Sequence, residues 1–328
     1  MAKSGSLFAA RLRQELGARS RLYARGRQHV ESYGNPPVIV YAPENSRHGN
    51  FFDPAFAAIE ANPAWARRFA KVHAQGRSLP KAERKWRELD SSMSSDALLM
   101  NVFCTPGVVE SQTVRRMLGV HSEELPIFGW KARVPFANGL FDRTEVDMRW
   151  GDLLVEAKLT ESDFQTCKAA PVEAYRDVDA VFERELLPRV LIPTERLKES
   201  AEFPEEYSQD EVYVPAENWQ PILYEPTRAS TSGYASYQLI RNVLAASANG
   251  ASFCVLHDAR RPDLREAWFQ VMAAVKSAEM RVRLKVLTWQ ELVPALPRAL
   301  QEFLDRKYGI VVPGEFPSPI EGAGSVDR

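Results

Sequence analysis

Cysteine is scarce: the 328 residues include three, Cys104, Cys167 and Cys254, and no CxxC spacing. An odd number without ligand spacing excludes a disulfide framework and a structural zinc, and it points to a reducing compartment. No apolar run approaches the ~20 residues that a membrane-crossing helix needs. The opening residues, Met-Ala-Lys-Ser-Gly-Ser-Leu-Phe, lack the apolar core of a secretory signal. A cytoplasmic protein with no membrane partner is therefore expected. No glycine-rich phosphate loop occurs either, which argues against ATP-driven translocation by this chain. What is present is ordinary for a soluble α/β protein: 45% hydrophobic and 26% charged residues, with a net charge of −1.

The charge is unevenly spread. Residues 1–90 carry 16 Lys/Arg against 8 Asp/Glu, and the remainder carries 26 against 35. A basic region of this kind is the footprint of a phosphate-backbone partner, or equally a solvated helical face. Its centre is an arginine-rich helix over residues 6–31, with Phe8, Leu12 and Leu16 as an apolar stripe. Arg19, Arg21, Arg25 and Arg27 are the candidate backbone contacts.

The most informative stretch runs from Arg143 to Lys158. Polar and apolar residues alternate on both sides of Gly151-Asp152, which reads as a hairpin with a two-residue turn. That register sets Trp150 opposite Leu153, Met148 opposite Val155 and Val146 opposite Ala157 on one face. The other face pairs Glu145 with Lys158 and Asp147 with Glu156. An ordinary solvated hairpin accounts for the first pair as an ion pair. It does not account for the second, because like charges directly across a ladder destabilise it. Two such carboxylates need a cation between them, or one must hold a proton. Oxygen ligands of this kind suit Mg²⁺. Lys158, two residues beyond Glu156, projects from the same face and is placed to orient a water or to stabilise charge on a phosphate.

Around this hairpin the chain alternates in type. Ser94 or Ser95 caps a helix carrying Leu98, Leu99, Val102 and Phe103. Residues 128–136 and 140–150 read as strands joined at Asn138-Gly139, so the hairpin at Gly151-Asp152 completes a three-strand meander. A helix is expected over 172–187, an acidic surface excursion over 195–217, and a helix at 237–242 closed by Asn249-Gly250. Strand 252–256, helix 263–278, strand 283–287 and a capping box at Thr288-Trp-Gln-Glu291 follow, an order that implies parallel pairing. From Val312 on, the composition reads as a disordered tail.

Asp147 followed by Glu156-Ala157-Lys158 after a turn resembles the PD-(D/E)XK, or restriction-endonuclease-like, nucleases. Tyr237-Gln-Leu-Ile-Arg-Asn242 on a later helix and Ser94-Ser-Asp-Ala-Leu-Leu-Met-Asn-Val-Phe103 before the hairpin extend the resemblance. Together they are similar to a family of bacterial restriction-endonuclease-like proteins over roughly residues 44–300. The first motif reads Glu-Val-Asp in place of Pro-Asp, a departure shared by many branches.

The resemblance implies an α/β (α+β) restriction-endonuclease-like fold: a mixed central sheet flanked by helices, with a basic helical N-terminal extension. The expected layout is an extension over 1–90, a nuclease core over 91–310 and a tail over 311–328. It also implies a Mg²⁺-dependent endonuclease (Mn²⁺ substituting) acting on DNA, double-stranded first of all, in restriction or defence. Asp147 and Glu156 would hold the metal with the carbonyl of Ala157, and Lys158 would be catalytic. Gln238 would act beside them, Arg241 would contact the scissile phosphate, and Glu145 would serve as an extra ligand or a partner of Lys158. A homodimer and a modification or defence-system partner fit the same reading. Two others stay open: a non-catalytic nucleic-acid-binding protein with this fold, and a nuclease acting on RNA or repair intermediates.

Overall fold

A computed structural model describes residues 2–35, 37–44, 46–72, 79–80, 86–193 and 230–318. The expected acidic excursion lies outside the described residues, as does the tail beyond Ser318. The elements used below are, in chain order, α1 (Ala2–Tyr23), α2 (Asp53–Ala61), α3 (Ser95–Phe103), α4 (Gln112–Leu118), β1 (Ile127–Pro135), β2 (Phe141–Trp150) and β3 (Leu153–Ala157). They continue as β4 (Thr166–Lys168), β5 (Arg189–Pro193), β6 (Ser230–Ala235), α5 (Tyr237–Ala248), β7 (Ser252–His257), α6 (Pro262–Ala273), β8 (Leu284–Thr288) and α7 (Arg298–Tyr308).

Five strands form the central sheet in the order β8-β7-β3-β2-β1. β1, β2 and β3 are an antiparallel meander, while β3 and β8 flank β7 in parallel. The mixed sheet expected from the order of elements is therefore present. Gly151 takes φ +60, and the two-residue turn brings Trp150 opposite Leu153 and Met148 opposite Val155, the register read from the sequence. β4, β6 and β5 make a smaller antiparallel sheet.

Successive side chains of a strand point to opposite faces, and on β3 and β7 both faces are buried. Leu153, Val155 and Ala157 join Leu98, Val102, Phe103 and Phe303 in one core. Leu154, Phe253 and Val255 join Leu239, Val243, Trp268 and Val271 in the other. Leu154 and Glu156, on the face of β3 opposite Leu153 and Val155, are covered by α5. Leu12 and Leu16 of α1 are buried in the first core with Leu304 and Tyr308 of α7.

Two further expectations are corrected. The α1 helix stops at Tyr23, and residues 29–31 pair instead with 39–41 as a short antiparallel ribbon. The helix expected over 172–187 is broken into short pieces. Ala137 N–H donates to the Ala174 carbonyl and Arg176 N–H to the Pro135 carbonyl, so tertiary backbone bonds to the end of β1 interrupt it.

Candidate active site

The β1–β2 ribbon changes face at one level. Trp130 and Val146 contribute to the α5-side core, whereas Phe128 and Met148 contribute to the α3-side core. Register is kept on both sides of this point, with Trp130 opposite Val146 and Phe128 opposite Met148. Between them stand Gly129 and Asp147, and Gly129 takes φ +64, a conformation that favours glycine. Val146 is thus not on the Ala157 side, contrary to the alternation. Beyond Met148–Val155 the β2–β3 ladder opens, and Asp147 reaches into the gap to accept the Ala157 N–H at 2.7 Å.

Glu156 and Lys158 are buried beside it, 2% and 5% exposed. Lys158 Nζ donates to Glu156 Oε1 at 2.6 Å, and Asn242 Nδ2 of α5 donates to Glu156 Oε2 at 2.8 Å. Thr144 Oγ1 in turn donates to Asn242 Oδ1 at 3.1 Å, so one amide ties β2, β3 and α5 together. In an extended strand the N–H and C=O of one residue point to the same side. Since the Ala157 N–H meets Asp147, its carbonyl also opens towards Asp147.

These groups line a cavity of about 410 Å³ that also receives Glu145, Arg143, Asp96, Glu161, Gln238 and Arg241. Desolvation in the cleft raises the Asp147 carboxyl well above its ordinary value. Glu156 and Asp96 add to the rise, and Lys158 and the Ala157 N–H oppose it. Burial alone would lower the Lys158 ammonium, but Glu156, Glu161 and Asp147 outweigh it and hold the group charged.

The remaining expected residues fall as follows. Glu145 does not meet Lys158; it accepts from Arg68 Nη1 at 2.7 Å and lies 3.7 Å from Lys71 Nζ. The ion pair expected across the hairpin is replaced because Lys158 turns to Glu156. Gln238 sits in the first turn of α5, whose Tyr237 and Gln238 N–H groups donate to the carbonyls of Gln165 and Phe164. It borders both this cavity and an adjoining groove of about 620 Å³, walled by the 32–35 loop and residues 158–165. Arg241 lines the cavity, 3.7 Å from Asp142 and stacked over Tyr237 at 4.9 Å.

None of Arg19 and Arg21 of α1, or Arg25 and Arg27 just beyond it, lines the cavity. Arg19 is turned inward, donating to the carbonyls of Asp305 at 3.2 Å and Ser318 at 3.1 Å, which leaves it no face for a phosphate. Arg21, Arg25 and Arg27 are exposed, and Arg27 lies over the Tyr23 ring at 4.0 Å.

Four partners were not singled out from sequence. Arg68, from the basic N-terminal region, crosses Gly129 to bind Asp96 at 2.8 Å as well as Glu145. A Cβ at residue 129 would lie 2.0 Å from Arg68 Nη1, a second reason for glycine there. Lys71 adds a bond to Asp96 at 3.1 Å. Glu161 accepts from Ser95 Oγ at 2.5 Å and from the Leu159 N–H at 2.7 Å, fixing the turn after Lys158. Asn242 alone carried a legible signal, an amide in the buried stripe of an amphipathic helix, where polar groups need partners.

Among the described residues no cluster of three or more His, Cys, Asp or Glu has metal-holding geometry. An ion at Asp147 and Glu156 must complete its shell with a backbone oxygen, water or substrate, which is the habit of Mg²⁺. No helix among the described residues is long and apolar enough to cross a membrane. Residues 16–309 match the family described as Restriction Endonuclease associating with ARP. No curated protein and no solved structure matches the chain.

Proposed function

The chain belongs to the family of restriction endonucleases associating with ARP, and from that premise we propose that it is a Mg²⁺-dependent endonuclease hydrolysing DNA phosphodiester bonds. One observation carries the reading: Asp147 and Glu156 share a buried cleft, where desolvation and each other's charge raise the Asp147 carboxyl, with Lys158 at hydrogen-bond distance from Glu156. Asp147, Glu156 and the Ala157 carbonyl would hold the ion, an all-oxygen set that fits Mg²⁺. When bound, the ion supplies a more acidic water and neutralises charge on the phosphate.

The protein's own groups do the rest. Asn242 and Lys158 fix the two Glu156 oxygens, and the Ala157 N–H fixes Asp147, so both carboxylates are oriented before substrate arrives. Lys158, fully charged and held by Glu156, offers its remaining donors to the attacking water and to the non-bridging phosphate oxygens, where charge grows in the transition state. Arg241 and Gln238 line the wall where the scissile phosphate would lie. Arg68 and Lys71 neutralise Asp96 and Glu145, which keeps these acids from repelling the substrate. Double-stranded DNA as substrate, a role in defence beside the ARP partner that the family description names, and a homodimer belong to the same proposal. Arg21, Arg25 and Arg27 remain available for backbone contact.

The test is digestion of methylated and unmethylated plasmid by the purified chain with Mg²⁺ or EDTA. Metal-dependent cutting supports the proposal, and no cutting of either plasmid, or cutting that persists in EDTA, removes it. Gln238→Ala separates wall from scaffold: cleavage should drop at least ~10-fold with a melting temperature close to wild type. Normal specific activity with a large loss of stability would make Gln238 structural only.

A further inference from the structure

Outward from Glu145, the cleft-facing side of the β1–β2 ribbon continues as a row of cations. Lys131 stands opposite Glu145, Arg133 opposite Arg143, and Pro135 opposite Phe141. Arg143 lines the cavity with Asp147, and Lys131, Arg133 and Phe141 are exposed. The Arg133 and Arg143 guanidinium groups both lie against the Phe141 ring, at 4.5 and 5.6 Å from its centre. Among the described residues neither arginine, nor Lys131, is within ion-pair distance of a carboxylate, since Glu145 is taken by Arg68 and Lys71.

Like charges directly opposite in an antiparallel ladder destabilise it. Two arginines held face to face over one aromatic ring, with no acid between them, are placed for an anion that bridges both. Guanidinium groups recognise phosphate through paired donors, and stacking on an aromatic ring preserves that geometry. The row begins in the cleft, passes Arg143 four residues of strand from Asp147, or about 13 Å, and ends at Phe141. A ligand running from the cleft along this face must be long and must carry repeated negative charge.

We propose that Lys131, Arg133, Arg143 and Phe141 form a phosphate-binding track that grips the backbone of a DNA duplex a few nucleotides from the bond cut in the cleft. The track rests on the nuclease reading of that cleft and adds the surface that holds the substrate beside it. It places backbone recognition on the ribbon that carries Asp147, so the residues that grip the strand and one proposed metal ligand share one element.

The test uses the full chain and a fluorescent duplex of about 30 base pairs in metal-free buffer, titrated over a range of salt. Arg133→Gln/Arg143→Gln is compared with wild type and with Arg283→Gln/Arg298→Gln, which removes the same charge elsewhere on the molecule. The track variant should bind at least ~10-fold more weakly, and its slope of log affinity against log salt should be shallower by about two, one counterion per lost phosphate contact. Without DNA at low salt it should melt at or above the wild-type temperature, since the facing charges are gone.

Unchanged affinity and slope, or an equal loss in the control variant, overturns the track. Binding of single strands with no binding of the duplex overturns it as well. The two readings fail separately. A wild type that binds through this pair but cuts nothing with Mg²⁺ leaves the track standing and removes the nuclease. One that cuts with Mg²⁺ while its binding ignores the pair does the reverse.

Discussion

Asp147→Asn is expected to abolish cleavage while leaving the metal-free protein at least as stable as wild type. Most active-site substitutions in a buried cleft cost stability; this one removes a penalty. The cleft keeps a proton on Asp147 at pH values where the unfolded chain, with an ordinary aspartate near ~3.9, has released it. The folded state therefore binds more protons than the unfolded state across that window. Stability of the metal-free wild type should fall as pH rises from about 4 towards the raised native value, and stay reduced above it.

Asparagine does not titrate, so this component of the pH dependence should vanish in the variant. Its oxygen can still accept the Ala157 N–H, which preserves the local bond. Mg²⁺ should raise the wild-type melting temperature by mass action and shift the variant much less, because a ligand is gone. Cleavage should fall by about three orders of magnitude or more, as expected when several kcal/mol of metal-derived stabilisation is lost at ~1.4 kcal/mol per tenfold. Thermal melts from pH 4.5 to 8, with and without Mg²⁺, read all of this. If Mg²⁺ moves neither melt and the asparagine variant still cuts DNA, the hairpin is only a polar sheet face.

Lys158→Met is expected to have the opposite effect on stability and the same effect on turnover. The methionine nearly matches the lysine stem, so what is lost is the charge that faces Glu156 at 2.6 Å and moderates Asp147. Removing one partner of a buried pair is expensive, about 3–5 kcal/mol in fully buried cases. Asn242 still satisfies one Glu156 oxygen, which places the expected loss nearer 2–4 kcal/mol. Mg²⁺ should restore more stability here than it adds to wild type, since the ion now supplies the only cation between the carboxylates. Turnover should stay absent at saturating Mg²⁺, because the lysine acts on the transition state and not on ion binding. A variant as stable as wild type without metal, or one that cuts normally with it, would show that Lys158 is a bystander.

The sequence made the hairpin legible because two independent local rules agreed there. A glycine-containing two-residue turn and strict alternation fix the same register, so Asp147, Glu156 and Lys158 could be grouped before any coordinates. The parallel half was legible for a similar reason, as short apolar runs at β7 and β8 are each followed by a helical segment. What escaped was set by tertiary contact. The face change at Gly129 and Asp147 depends on a backbone twist that alternation cannot register, and it misplaced Val146.

Glu145 was assigned to Lys158 because that lysine is its cross-strand neighbour, whereas Arg68, 77 residues away in sequence, reaches it. Arg19 looked like its neighbours in an arginine-rich helix, yet about half a turn separates its buried clamp on Asp305 from the exposed Arg21. Asp96 was hidden by a local explanation, since an acid in the first turn of a helix already has a reason to be there.

The pinning of the cleft by α5 and β7 also sets when activity can begin in a growing chain. Glu156 is oriented by Asn242, 86 residues later, and the Leu159 carbonyl that follows Lys158 is held by Arg261, 102 residues later. β3, which carries Glu156, pairs with β7 and has no support on that side until β7 exists. At synthesis rates of about 5–20 residues per second, roughly 5–20 seconds separate translation of the catalytic hairpin from that of the segment that arms it. During that interval the nascent polypeptide carries the acids of the cleft without the bonds from Asn242 and Arg261. If the proposed nuclease function holds, a truncated product lacking α5 and β7 should show no cleavage of DNA.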